Sequence, residues 1–297
     1  MKKMLTVTVM FLAAAGIAQA GGVTMTHYYN FNEGSGTNVF DQVATNPQHG
    51  EFSFMKSDSD WTTGHSGGGL QFHGVRGDGI ADDPPVHGTR RDRMPIGPTG
   101  DVVYFGDDAS FALANRGSIM FWMRQDGGTD GDGTGYGNDN ALNNPDNANW
   151  IVVKGNDPFN YVVHNQHNYT GMRVELRAAG DVASARGSGL LAVEEWVHVA
   201  ATWDSDSDEK HLYVNGVLED TQGFGGIDQD WGGNFVVGGH DAHTGAGRGF
   251  LGKIDELRVF DGLLTQSEVQ TYMSIPEPGT LALLGLGGLL LAIRRRR

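Results

Sequence analysis

Cysteine is absent from the 297-residue sequence. A chain of this kind, if exported, forgoes disulfides and rests on its core, with bound metal as the other available support. Positive charge is scarce, with 21 Lys and Arg against 36 Asp and Glu. Six of those basic residues and one acid lie in the terminal segments 1–20 and 275–297, which leaves the body between them at a net charge of −20. That sign argues against a nucleic-acid or anionic-membrane surface and leaves divalent cations, neutral sugars and basic partners open. Long apolar runs are missing too. The run near the C-terminus, Leu281 to Ile293, has thirteen residues, or ~20 Å as a helix against a hydrocarbon core of roughly 30 Å.

The two ends nevertheless read as export signals. "MKKMLTVTVMFLAAAGIAQA" starts with Lys2 and Lys3, runs apolar from Met4 to Ala18 and closes on Ala18-Gln19-Ala20. Small residues at those last two alanine positions are what a signal peptidase reads, so a signal peptide cleaved after Ala20 is expected. At the other end, "IPEPGTLALLGLGGLLLAIRRRR" sets the apolar run before Arg294, Arg295, Arg296 and Arg297. A buried core helix competes with a short transmembrane helix here. Four adjacent arginines favour the second, since they hold that end in the cytoplasm. Pro276-Glu277-Pro278, the apolar run and the arginine cluster together resemble the PEP-CTERM sorting signal of Gram-negative bacteria. The resemblance implies recognition by an exosortase, transient inner-membrane anchoring, removal of the tail, and delivery to the cell surface or extracellular polysaccharide matrix. A permanent C-terminal anchor is the alternative.

Residues 21–274 fall within the range of one large β domain. Glycine is abundant, at 46 residues against nine prolines, and apolar runs of four to eight residues alternate with turn clusters, a pattern that suits an all-β sandwich. Strands are expected over 26–31, 69–74, 101–106, 118–124, 149–154, 159–164, 171–177, 196–203, 210–216, 234–239 and 251–260. In "WVHVAATW", Val197, Val199, Ala201 and Trp203 form one apolar face, leaving Trp196 and His198 on the other. Leu212 and Val214 point inward, and Asn215-Gly216 predicts a tight hairpin. "TQSEVQTYM" (265–273) reads as a helix with Thr265 as N-cap and Glu268 completing a capping box. The blocks "YNFNEGSGTNVFDQ", "SIMFWMR", "EWVHVAATWDSDSDEKHLYVNGVLEDT" and "GFLGKIDELRVFDGLLTQSEVQTYM" resemble, in order, the LamG-like jelly-roll of the concanavalin A-like lectin/glucanase superfamily. A jelly-roll β-sandwich over 21–274 is the fold this implies. The inserts 76–100 and 126–149 lie beyond the resemblance.

Asp255 shares its predicted strand face with Leu257 and Val259, with Glu256 and Arg258 opposite, and a carboxylate there needs a partner. The resemblance implies a structural calcium held by Asp255 and Asp41 between first and last strands. Hydrogen bonding to a turn is the alternative. Asp126, Asp130, Asp132 and Asp139 suggest a second calcium loop or a sugar-binding rim, but without EF-hand spacing they fit a solvated insertion better. Arg76-Gly77-Asp78, and the pairs His164/His167 and His240/His243, carry no specific signal, and no HExxH occurs. The glucanases' Glu-x-Asp-x-x-Glu strand is missing, as are a serine elbow and a phosphate loop. The expectation is therefore a protein without catalysis that binds a glycan or surface partner, with Tyr136 and Trp150 as stacking candidates. A structural matrix protein without a ligand is the main rival, and a glycoside hydrolase with an atypical carboxylate pair a more distant one.

Overall fold

The computed structural model describes residues 22–43, 45–53, 60–73, 102–126, 148–155, 160–168, 171–178, 185–186, 191–192, 194–226, 232–239 and 250–275. The signal segment, most of both inserts and everything from Pro276 onward lie outside them. The strands are β1 (Thr24–Tyr29), β2 (Asn38–Val39), β3 (Gly50–Ser53), β4 (Trp61–Thr63), β5 (Gly68–His73), β6 (Val102–Tyr104), β7 (Arg116–Gln125) and β8 (Ala148–Lys154). They continue with β9 (Tyr161–Asn168), β10 (Gly171–Ala178), β11 (Ala185–Arg186), β12 (Trp196–Asp204), β13 (Glu209–Val214), β14 (Val217–Gln222), β15 (Phe235–Val237) and β16 (Leu251–Asp261). One helix, α1 (Gln266–Ser274), follows.

Two eight-stranded antiparallel sheets result. Sheet A runs β14-β13-β12-β7-β16-β5-β4, and β1 lies beside the C-terminal half of β16. Sheet B runs β11-β10-β9-β8-β15-β6-β3-β2. The first and last strands are thus neighbours in one sheet, so chain closure rests on the β1–β16 ladder, with Tyr29 opposite Leu257 and His27 opposite Val259. The short strands β2, β3, β4 and β11 go unmarked by the sequence pattern, because two to four residues are too few for alternation to register.

Alternation in β12 works as expected. Val197, Val199, Ala201 and Trp203 enter the core between the sheets, where they meet Phe121, Tyr161, Phe235 and Leu257 among others. Polar atoms on these large rings are satisfied at the edge of that core: Trp203 Nε1 donates to the Leu113 carbonyl at 2.9 Å and Tyr161 Oη to the Phe111 carbonyl at 2.7 Å. Asn215 and Gly216 both take positive φ, 50° and 73°, which closes the β13–β14 hairpin in the I′ manner the Asn-Gly pair predicts. The outer face of sheet A is covered in part by α1. Val269 and Leu264 pack there on Met120, Ala200, Tyr213 and Phe260.

The capping box forms as read from the sequence. Glu268 Oε2 accepts from the Thr265 amide at 2.8 Å and from its hydroxyl at 2.7 Å, while Glu268 N reaches back to Thr265 Oγ1. Thr265→Ala should cost about 1 kcal/mol. In a domain of this size that is a thermal midpoint lower by roughly 2–4 °C. An unchanged midpoint in a scanning calorimeter would mean that packing on sheet A alone holds the helix.

Candidate functional site

β16 does not alternate throughout. Asp255 faces Trp122 of β7, but the next partners are Arg258 and Met120, so three steps along β16 match two along β7. The extra residue is Glu256, at φ +56°, a β-bulge. Its consequence is that Ile254, Leu257 and Val259 all point into the core, whereas Asp255 and Arg258 join Trp122 and Met120 on the outer face. This corrects the simple alternation that set Asp255 beside Leu257 and opposed it to Glu256. All three ionised residues of the segment now lie on one side. Glu256 is ion-paired with Arg258 and accepts from Tyr28 Oη at 2.8 Å. The guanidinium sits 4.7 Å over the Tyr28 ring and donates to the Tyr272 carbonyl of α1. Asp255 accepts the Ser66 amide at 2.9 Å through Oδ2 and the Glu256 amide at 2.7 Å through Oδ1.

Asp41 has a different set of partners, on the core side of β1. His27 Nδ1 bonds its Oδ2 at 2.7 Å, and the amides of Tyr28, Val43 and Gln48 donate to its two oxygens at 3.0–3.1 Å. Burial opposes ionisation of Asp41, but the bonds from His27 and the three amides outweigh it and lower its pKa. The bonds described for Asp41 and Asp255 go to different groups, one set on the core side of β1 and the other on the outer face of β16, so the two residues of the expected calcium pair meet at no common partner among these bonds. Among the described residues no cluster of three His, Asp or Glu could hold a metal.

His27 also contacts Ser110 Oγ through Nε2, at 2.8 Å, which gives the order Asp41–His27–Ser110. That is the order of a hydrolase's triad, but Ser110 has a second partner. Ser110 Oγ lies 2.6 Å from Asp108 Oδ1, and a carboxylate can only accept, so the one hydroxyl proton is directed there. His27 thus bridges Asp41, through Nδ1, and a hydroxyl already engaged with Asp108, through Nε2. The relay staples β1, the 41–48 segment and the turn at Ala109–Phe111 together.

Trp150 is not a free platform. It is 3% exposed and buried in an apolar cluster with Val153 and Val162 on the outer face of sheet B. His164 and Val236, on the same face, are each 1% exposed. His164 falls on β9, and a spacing of three on a strand does not gather two ligands on one face. Tyr136, Arg76-Gly77-Asp78, His240/His243 and the acidic run 130–139 lie outside the described residues.

The accessible aromatic surface is on sheet A, below α1. The tight β4–β5 turn, closed by Gly64 N donating to the Gly67 carbonyl at 3.1 Å, is tied to Asp255 through Ser66. A side chain at Gly64 would collide with the Gly68 carbonyl and with Asp255 Oδ2. The turn thereby lays the exposed His65 ring flat on Trp122, with centroids 3.5 Å apart and planes at 8°. Trp196 meets His65 edge-on at 6.0 Å, and His198 meets Trp122 edge-on at 5.2 Å. His198 is fully buried, and neither ring nitrogen has a hydrogen-bond partner among the described residues. Parity along β12 already set Trp196 and His198 outward. His65 and Trp122 carry no signal of their own, because the turn reaches them only in three dimensions.

Burial, then the charge of Arg258 and the neighbouring His65, lower the His198 pKa from 6.5 to about 3. Above pH 6.5 the ring is neutral whether the chain is folded or not. As pH falls from there toward 3 the unfolded chain takes up a proton that the folded chain refuses, so stability is lost at up to about 1.4 kcal/mol per pH unit. His198→Phe should remove that share of the acid sensitivity. Urea midpoints at pH 7 and pH 4 test this, and equal pH slopes for the variant and the unaltered protein would sink it.

Residues 97–270 match the concanavalin A-like lectin/glucanases superfamily, and residues 274–297 match the PEP-CTERM protein-sorting motif. That motif marks exported proteins of Gram-negative bacteria and implies recognition by an exosortase. Among the described residues no helix is long and apolar enough to cross a membrane. No curated protein matches in sequence. Among solved structures, domain 4 of an extracellular arabinanase from Geobacillus stearothermophilus, in complex with arabinotriose, superposes with a TM-score of 0.55. It has 15% identity, over 84% of this chain and 98% of that one. The Trypanosoma rangeli sialidase in complex with sialic acid gives 0.52 and 14% identity over 86% of this chain, which spans 33% of the sialidase. The receptor binding domain of a botulinum neurotoxin C/D mosaic gives 0.50 and 12% identity, over 84% of this chain and 51% of that one. These likenesses establish the sandwich. The family match covers more than half of the chain, which belongs to the concanavalin A-like lectin/glucanases superfamily.

Proposed function

We propose that the protein is an exported, non-catalytic glycan-binding module, delivered to the cell surface or extracellular matrix through its sorting tail. The observation that carries this reading is the aromatic surface of His65, Trp122 and Trp196 on sheet A, next to polar side chains and outside the core. Apolar C–H faces of sugar rings stack on such surfaces, while nearby polar groups fix orientation. The arabinotriose held by the similar arabinanase domain supports a saccharide as ligand. The non-catalytic part of the reading is supported by three of the buried carboxylates. Glycoside hydrolysis needs one carboxyl free to give a proton and a second free to attack or to activate water. Asp41 and Asp255 are occupied by backbone and imidazole donors, and Glu256 by Arg258 and Tyr28.

Glycan-array binding of the purified chain, in calcium and in chelator, tests the reading. Binding to a defined saccharide class is expected, with no release of reducing ends from laminarin or arabinan. An array without a single specific signal would leave a structural matrix protein, and released reducing ends would make the protein a hydrolase.

The sorting step has its own check. Substitution of Pro276 or Glu277 should leave full-length protein in the inner-membrane fraction. Unchanged surface delivery in a fractionation experiment would instead favour a permanent anchor.

A further inference from the structure

Three features meet on the outer face of sheet A: an exposed ring lying flat on a tryptophan, a second tryptophan at its edge, and beneath them a fully buried imidazole whose nitrogens bond to nothing described. We propose that this is a subsite for a neutral pyranose or furanose ring, with His65 as its placeholder. The sugar takes the face of Trp122 that His65 covers and brings a hydroxyl to His198. The assignment rests on the glycan-binding reading above and names the site and ligand class within it.

The geometry supports exchange at low cost. The His65 ring is held by aromatic contacts alone among the described residues. What is bolted is the backbone one residue on, where Ser66 N donates to Asp255. The side chain can therefore swing about its own torsions while the turn stays in place. Flat contact at 3.5 Å and 8° is also the arrangement a sugar ring needs on an indole. His198 supplies the reason to exchange. A buried polar group without a partner is costly, and an incoming hydroxyl that satisfies it recovers that cost.

Charge selects the ligand class. Arg258 is paired with Glu256, Arg124 with Asp126 at 3.0 Å, and Lys253 donates to Thr62 Oγ1 at 2.9 Å. Among the described residues no guanidinium on this part of the face is left for a carboxylate, and the body carries a net charge of −20. A uronic or sialic acid would be repelled, whereas a neutral ring would not.

Titration of the full chain with arabinotriose, laminaritriose and N-acetylneuraminic acid, followed by calorimetry and tryptophan fluorescence, tests the site. A neutral trisaccharide should bind and quench fluorescence. His65→Ala, on an exposed turn, should tighten that binding about three- to ten-fold, because the competing stack is gone. Trp122→Ala should weaken it at least about ten-fold, and His198→Phe, which keeps the ring and loses the nitrogens, by about ten-fold. Thermal midpoints of each variant separate lost binding from lost fold. Binding of unaltered strength in His65→Ala and Trp122→Ala would place the glycan elsewhere and overturn the site while sparing the glycan reading. Preference for N-acetylneuraminic acid would overturn the ligand class. Failure of the unaltered chain and of His65→Ala to bind any saccharide on the array would remove the reading and the site with it.

Discussion

One extra residue in β16 determines where the charge of this sandwich resides. β16 is flanked by β7 along one side and by β5 and β1 along the other, so its side chains reach both the core and the outer surface of sheet A. Without the bulge at Glu256, continuous alternation would drive either Asp255 or Arg258 into the core among Leu257, Val259 and Tyr29. A buried charge there, without water or a counter-ion, would cost several kcal/mol. The bulge resets the phase after Ile254, keeps three apolar residues inward and delivers Asp255, Glu256 and Arg258 together to the outside.

The same device builds the candidate site. Asp255 is free to hold the β4–β5 turn because it faces outward, and that turn in turn fixes His65 over Trp122. Arg258 pairs with Glu256, stacks on Tyr28 and caps the end of α1 at the Tyr272 carbonyl. Buried ion pairs add little net stability but fix geometry strongly once formed, since removal of one partner strands the other. Here the geometry they fix is the position of a turn on one side of the aromatic surface and of a helix on the other. The Asp41–His27–Ser110–Asp108 relay plays the corresponding part on the core side of β1.

Much of this architecture is legible in the sequence because it is local. The inward face of β12, the Asn215-Gly216 hairpin and the Thr265 capping box each depend on residues within a few positions of one another. The bulge is half legible. The apolar residues Ile254, Leu257 and Val259 stand at spacings of three and then two, which a regular strand does not show, yet strict alternation carried through them puts Asp255 on the wrong face. His65 and His27 are harder. Both act through partners that topology alone supplies: Trp122 lies 57 positions after His65, and Ser110 is 83 from His27. Trp150 shows the converse. Its sequence position beside a long polar insert is compatible with a stacking platform or with core packing, and the fold buries it with Val153 and Val162.

Lack of cysteine sets the terms for an exported protein of this size. The outermost elements of a domain are usual points of fraying, and here the first and last described strands are neighbours in one sheet, so the β1–β16 ladder closes the sandwich where a disulfide otherwise could. His27, Tyr28 and Tyr29 face Val259, Arg258 and Leu257 across that ladder, and all three also make side-chain bonds, to Asp41, to Glu256 and to the Gln48 carbonyl. α1 then packs back on the same sheet, and the sorting motif begins where it ends, at residue 274. The bond from Arg258 to the Tyr272 carbonyl ties α1 to β16. The bulge that keeps charge out of the core thus also helps to seat the helix, on the same face of sheet A that bears the aromatic stack.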